Sequence, residues 1–226
     1  MPASTPIARS KTAALIRITD LVAKGYDRYT HGKVATGKAQ RLAQKFHTKY
    51  GIGCTPAQRV TRKKHGLANT ALILYWPEGA ETVEWLLLAT AGDGLGDETL
   101  EEVAHKRIRL LWLGYQLVRR TYRGRVAWTW KLPRQTMADL YNELNALLNG
   151  RHHTAVGKLL ERASHYPGFN GIREQLKPFL GEARRRGYMG PMPQLFYLRK
   201  ISHGERLTLD GSNTLRADDR RRPSTA

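Results

Sequence analysis

Two short stretches place a histidine beside groups that could assist it in phosphoryl chemistry: Tyr29, His31 and Lys33, and Lys200, His203 and Arg206. Metal-free RNA cleavage needs a His or Tyr base, a cation to stabilise the crowded phosphorus and a bound 2′-hydroxyl. Both stretches hold these types, although surface exposure alone explains histidines in a basic chain. Metal chemistry has less to build on. His152 and His153 are adjacent, so their side chains diverge, and no HxxxH or HExxH spacing brings two ligands to one helical face. Cys54 is the only cysteine, which excludes an internal disulfide and a multi-cysteine zinc centre and fits a reducing compartment.

The acids Asp93, Asp97, Glu98, Glu101 and Glu102 form the other cluster with chemical potential, since carboxylates bind Mg²⁺. Asp97 precedes ETLEEVAHKRI, which reads as a helix, and acids in a first helical turn are stabilising without any metal. The run Gly92–Gly96 lacks the lysine and the spacing of a phosphate loop, and no dinucleotide fingerprint or GxSxG occurs. Neither metal nor cofactor is expected.

Charge points more clearly to a partner. The chain has 38 Lys+Arg against 19 Asp+Glu, a formal net charge of +19 over 226 residues. Residues 1–77 hold fourteen basic side chains and two acids, Asp20 and Asp27. Such a surface repels itself unless a polyanion neutralises it, so nucleic acid is the expected partner, with further protein subunits of a nucleoprotein assembly beside it. Arg17 and Asp20 interrupt the N-terminal apolar run below signal-peptide length, and no stretch of about 18 apolar residues occurs. A cytoplasmic protein without a membrane partner is expected.

Four basic surfaces stand out. Arg59, Arg62, Lys63 and Lys64 lie in AQRVTRKKH, the second helix of a possible helix-turn-helix. With the apolar hairpin that follows, this suggests a winged helix reading duplex DNA. In RVAWTWKL, alternation puts Val126, Trp128, Trp130 and Leu132 on a core face and Arg125, Ala127, Thr129 and Lys131 on the other. With Arg119, Arg120 and Arg123 nearby and Tyr122 for stacking, that face suits single strands. Arg184, Arg185 and Arg186 end a helix, where cations complement the dipole, and are followed by Arg199 and Lys200. Arg220–Arg222 read as a flexible tether.

The elements that must position these groups follow from periodicity and punctuation. Helices are predicted over 7–24, 36–49 and 56–65, the last opened by a Thr55/Gln58 capping box with Pro56 at its first position. ANTALILYW and TVEWLLLAT form a hairpin, and LLWLGYQLVRR with RVAWTWKL adds two strands, making a four-stranded antiparallel meander. Helices return from Thr136 (capping box with Asp139), from about Thr154, and over 170–186 with Pro178 inside. A final hairpin pairs QLFYLRKI with ERLTL, and 210–226 is too polar to order.

The expected class is α+β: N-terminal helices, meander, C-terminal helices and terminal hairpin. The expected regions are a basic helical part (1–67), a sheet with C-terminal helices (68–209) and a basic tail (210–226). RKKHGLAN and YPGFNGIREQ carry no activity signature. The function expected is binding of RNA or single-stranded nucleic acid without chemistry of its own. The alternatives are a metal-independent endoribonuclease using a loop histidine and a winged-helix-like regulator of duplex DNA.

Overall fold

The computed structural model describes residues 4–105, 109–122, 124–198 and 205–208. In chain order the elements are β1 (Ser4–Ala8), α1 (Lys11–Ala23), β2 (Arg28–Ala35), α2 (Thr36–Tyr50), α3 (Pro56–Lys64), β3 (Thr70–Tyr75), β4 (Thr82–Ala89) and β5 (Glu101–Glu102). They continue as β6 (Leu111–Trp112), β7 (Tyr115–Tyr122), β8 (Arg125–Lys131), α4 (Arg134–Asn149), α5 (His153–Ser164), α6 (Asn170–Arg185) and β9 (Glu205–Thr208). The chain is α+β. It divides into two compact units, the first holding the residues up to His105 together with β9, the second the residues from Arg109 to Leu198.

The first unit is built on a six-stranded sheet in the order β5-β2-β4-β3-β1-β9. Its strands pair antiparallel except β1 with β3, which run parallel. Leu72, Leu74, Val83, Leu87 and Ala89 meet Ala39, Ala43, Phe46 and Tyr50 of α2 in one cluster. On the other side of the same strands Ile73, Leu86 and Leu88 are also buried, and α1 packs against β3. Burial on both faces is why ALILY and WLLLA are unbroken apolar runs rather than alternating ones. It also removes the wing: β3 and β4 are the centre of the sheet, so the hairpin after α3 is not a solvent-exposed appendage.

The expected four-stranded meander is likewise two structures, because β7 and β8 belong with β6 to a separate three-stranded sheet, order β6-β7-β8. The final hairpin does not form either. Residues 191–198 are irregular, and β9 pairs antiparallel with β1. The 7–24 helix starts later, at Lys11, with Ser10 Oγ accepting from the Ala13 amide, while Pro6 and Ile7 lie in β1. ETLEEVAHKRI is not helical over its described residues: Glu101 and Glu102 form β5 on the edge of β2. The Thr136 cap is also displaced, since α4 begins at Arg134 after Pro133. The capping box of α3 forms as read, with Gln58 Oε1 accepting from the Thr55 amide at 2.9 Å. Residues 210–226 lie outside the described part.

Gly92 holds a close approach in the first unit. Its φ is +140°, and a Cβ there would sit 2.6 Å from the Ala68 amide nitrogen and 2.8 Å from the Gly66 carbonyl oxygen. Hydrogen bonds from Asp93 N to Gly66 O (2.8 Å) and from Ala68 N to Asp93 O (3.0 Å) flank it. Gly92→Ala combines a strained φ with a backbone clash and is expected to cost about 2–4 kcal/mol, read as a lower urea midpoint by circular dichroism.

In the second unit, α4, α5 and α6 bury Leu144, Val156, Leu160, Ile172 and Phe179 among themselves. Tyr141 packs edge-on to Phe179 at 5.2 Å between centroids. Helix α6 then docks on β8. Gly171 makes this possible: a Cβ there would lie 2.5 Å from the Trp130 carbonyl oxygen. Three hydrogen bonds fix the contact. Gly171 N donates to Thr129 Oγ1 (3.1 Å), Leu132 N donates to Gln175 Oε1 (2.8 Å) and Gln175 Nε2 donates to Leu132 O (2.9 Å).

Candidate nucleic-acid interface

The docking of α6 creates the main concavity of the second unit, a cavity of about 1090 Å³. Three segments line it: Arg120 with Ala127–Thr129 of the β7–β8 ladder, Gly168–Asn170 with Arg173, Glu174 and Lys177 of the α6 start, and Tyr197 with Leu198. A Cβ at Gly168 would lie 2.4 Å from the Phe196 carbonyl oxygen, so this glycine lets the irregular segment pass close to the start of α6. The two glycines of YPGFNGIREQ thus serve two close approaches. One seats the helix on the sheet, and the other admits the chain that carries Tyr197.

The cations are arranged with partners that shape their chemistry. The Arg173 guanidinium lies 3.5 Å from the centroid of the Tyr197 ring, while its Nε is buried without a hydrogen-bond partner among the described residues. Arg173 beside the Tyr197 hydroxyl, helped by Lys177, holds that phenol below its ordinary value. Arg120 is ion-paired with Glu174, and Lys177 is exposed. Tyr197 and its neighbour Phe196 are 72% and 62% exposed, so both rings are open to stacking. The arrangement offers cations for phosphates and flat π-faces for bases. In an alkaline ultraviolet titration, Tyr197→Phe is expected to remove one phenol that ionises below the ordinary tyrosine value.

The sheet face is only partly as the alternation implied. Thr129 is buried beneath Gly171, and Lys131 lies against the same glycine, so α6 covers that end of the face. Trp130 is core as expected, but Trp128 lines the cavity and Val126 is 52% exposed. The supposed core face is therefore open toward the hairpin turn. Arg119 is exposed and sits opposite Trp128 across the ladder, and Arg120 sits opposite Ala127. Tyr122 and Arg125 close the ladder as a backbone pair, while Arg123, Arg199 and Lys200 lie outside the described residues.

The arginine triplet ending α6 is engaged by the fold. Arg184 donates to the Tyr188 carbonyl (2.8 Å) and the Gly190 carbonyl (3.2 Å). Arg185 pairs doubly with Glu182, and Arg186 reaches Asn145 and Asn149 on α4. These contacts close the helix, while the Arg184 and Arg185 side chains stay exposed.

In the first unit α3 buries no residue, and Lys63 and Lys64 are exposed. Arg62 is tied inward, its Nε and Nη2 donating to the Ala68 carbonyl at 3.2 and 2.9 Å. The Arg59 carbonyl accepts from Asn69 Nδ2. Tyr29, His31 and Lys33 share one face of β2, the two rings stacked at 6.1 Å, so His31 is a strand residue and not a loop residue. Two of the three are engaged by acids. Burial, followed by the 2.5 Å hydrogen bond to Glu101 and its charge, drives the Tyr29 phenol far above its ordinary value. Lys33 is paired with Glu84 at 3.3 Å. His203 lies outside the described residues.

The acid-rich segment explains these pairings. Residues 78–105 carry eight acids and no Lys or Arg, and they fold onto the basic N-terminal elements. Asp97 meets Lys49, which holds its carboxyl below the ordinary range, and Glu98 accepts from the Tyr50 hydroxyl at 2.7 Å. Residues 1–105 thereby total 14 basic against 10 acidic side chains, whereas 106–200 hold 19 against five. The excess positive charge belongs to the second unit, a partition invisible while the first 77 residues are counted alone. No family model, no curated protein and no solved structure matches the chain, so its own residues carry the functional reading.

Proposed function

We propose that this chain is a nucleic-acid-binding protein that engages RNA or single-stranded nucleic acid through its second unit, with no catalytic step of its own. One observation carries the reading: the unit with 19 basic against five acidic side chains also holds a cavity in which Arg120, Arg173 and Lys177 stand beside aromatic rings. Charge alone would favour any polyanion. Exposed π-faces next to the cations favour strands with unstacked bases, because a duplex keeps its own bases stacked.

The test is binding of labelled single-stranded RNA, duplex RNA and duplex DNA over a salt series. Single strands should bind most tightly, with log K falling by about 0.7 per phosphate contact for each decade of salt. A flat salt response, or preference for one duplex sequence, would contradict the reading. The α3 surface makes a separate prediction: Lys63→Ala with Lys64→Ala should change single-strand affinity by less than about twofold, because the excess charge lies elsewhere.

A further inference from the structure

We infer that the cavity between α6 and the β7–β8 ladder is a pocket for one unpaired nucleotide, its base on the Arg173–Tyr197 pair and its phosphate against Lys177. This inference rests on the proposed binding of single strands and names what enters the site. A half-open cavity of about 1090 Å³ has room for a base, its sugar and a phosphate together, unlike the flat track of a duplex backbone. Tyr197 is held flat by the Arg173 guanidinium on one side while remaining 72% exposed, so a second planar group has a ring ready to cover. A base added there extends an existing stack.

The phosphate has its own contacts. Lys177 follows Arg173 by one helical turn on α6, so both project over the same opening. Glu174 lies between them and is occupied by Arg120, which keeps its carboxylate from standing uncompensated in an anion site. Arg173 Nε is buried with no acceptor among the described residues, so a ligand oxygen that reaches it would satisfy that donor while the guanidinium stays on the Tyr197 ring. A nucleoside would meet only the ring, and inorganic phosphate only the cations. A nucleotide joins the two, whether free or as part of a strand.

Full-length protein is titrated with uridine 5′-monophosphate, uridine and inorganic phosphate, each competing against a fluorescent oligouridylate read by anisotropy. The mononucleotide should displace the strand at concentrations at least about tenfold lower than uridine or phosphate. Tyr197→Ala and Arg173→Ala should weaken the mononucleotide by about tenfold or more, while Tyr197→Phe, which keeps the ring, restores binding. Circular dichroism melting confirms that each variant is folded. If the oligouridylate binds with a steep salt response but the mononucleotide does not compete and neither variant alters binding, the pocket is wrong and strand binding stands. If no strand binds but direct calorimetric titration shows that the mononucleotide does, the pocket stands for free nucleotides and the proposed function falls.

Discussion

Arg173→Ala combined with Lys177→Ala is expected to weaken oligouridylate binding by roughly 5- to 150-fold per lost stacking or phosphate contact, an amount equivalent to about 1–3 kcal/mol each. The salt slope should also become shallower by about 0.7 for every phosphate contact removed. Together these readouts separate a real contact from a general loss of charge. Replacing Lys158 and Arg134, which lie outside the cavity lining, subtracts the same two charges from the same unit and should produce a much smaller loss. If both double variants weaken binding alike, the second unit attracts strands through its net field and the cavity has no special place. Glu174→Gln should have the opposite sign. It removes an anion from the lining and from the ion pair with Arg120, so affinity should rise.

The second large effect concerns folding. Gly171→Val is expected to lower the stability of the second unit by about 3 kcal/mol or more, because branched carbons would enter a space 2.5 Å from a backbone oxygen that cannot swing aside. Helix α6 would be lifted from β8, and the bonds of Gly171 to Thr129 and of Gln175 to Leu132 would be strained or lost with it. Thermal melting followed by tryptophan emission reports this, since Trp130 is buried directly under the contact. A wild-type melting profile would mean that α6 docks in some way other than the one described. Gly181→Ala is the control: a Cβ on that α6 glycine meets nothing within 4 Å, and alanine favours a helix.

Elements with strong local signals were legible in the sequence. Thr55, Pro56 and Gln58 specify the start of α3 through local hydrogen bonds, and the apolar stripe of Leu140, Leu144 and Leu148 specifies α4. The strands β1, β2 and β5 were not legible, and β9 was legible as a strand but not as the partner of β1. β1 contains Pro6 in five residues, β5 has two residues, and β2 alternates polar groups with Tyr29 and Val34 around Gly32. Pairing with distant strands creates them, and no local pattern of the chain states that pairing. Gly32 illustrates this. In the sequence it weakens a strand, but in the sheet it leaves room for the Trp85 ring from the opposite residue of β4.

The candidate site was half legible for the same reason. Arg119, Arg120 and the aromatic strand β8 marked the right hairpin, because alternation is local. Arg173, Lys177 and Tyr197 went unnoticed, since only the docking of α6 and the passage of 196–198 over Gly168 bring them to Arg120. A signal was present in the two glycines of PGFNG, one just ahead of α6 and one in its first turn, where glycine is a poor helix former. The first histidine group was legible in part: Tyr29, His31 and Lys33 do lie together on β2, but Glu101 and Glu84, the partners of Tyr29 and Lys33, lie more than fifty residues away, and His203 is outside the described residues.

The sheet order has a consequence for biosynthesis. β1 leaves the ribosome well before its outer partner β9, because the whole second unit is encoded between β5 and β9. At ordinary elongation rates of about 5–20 residues per second, roughly 5–20 s pass between completion of β5 and emergence of β9. Throughout that interval one side of β1 is an open strand edge, available to any other nascent chain.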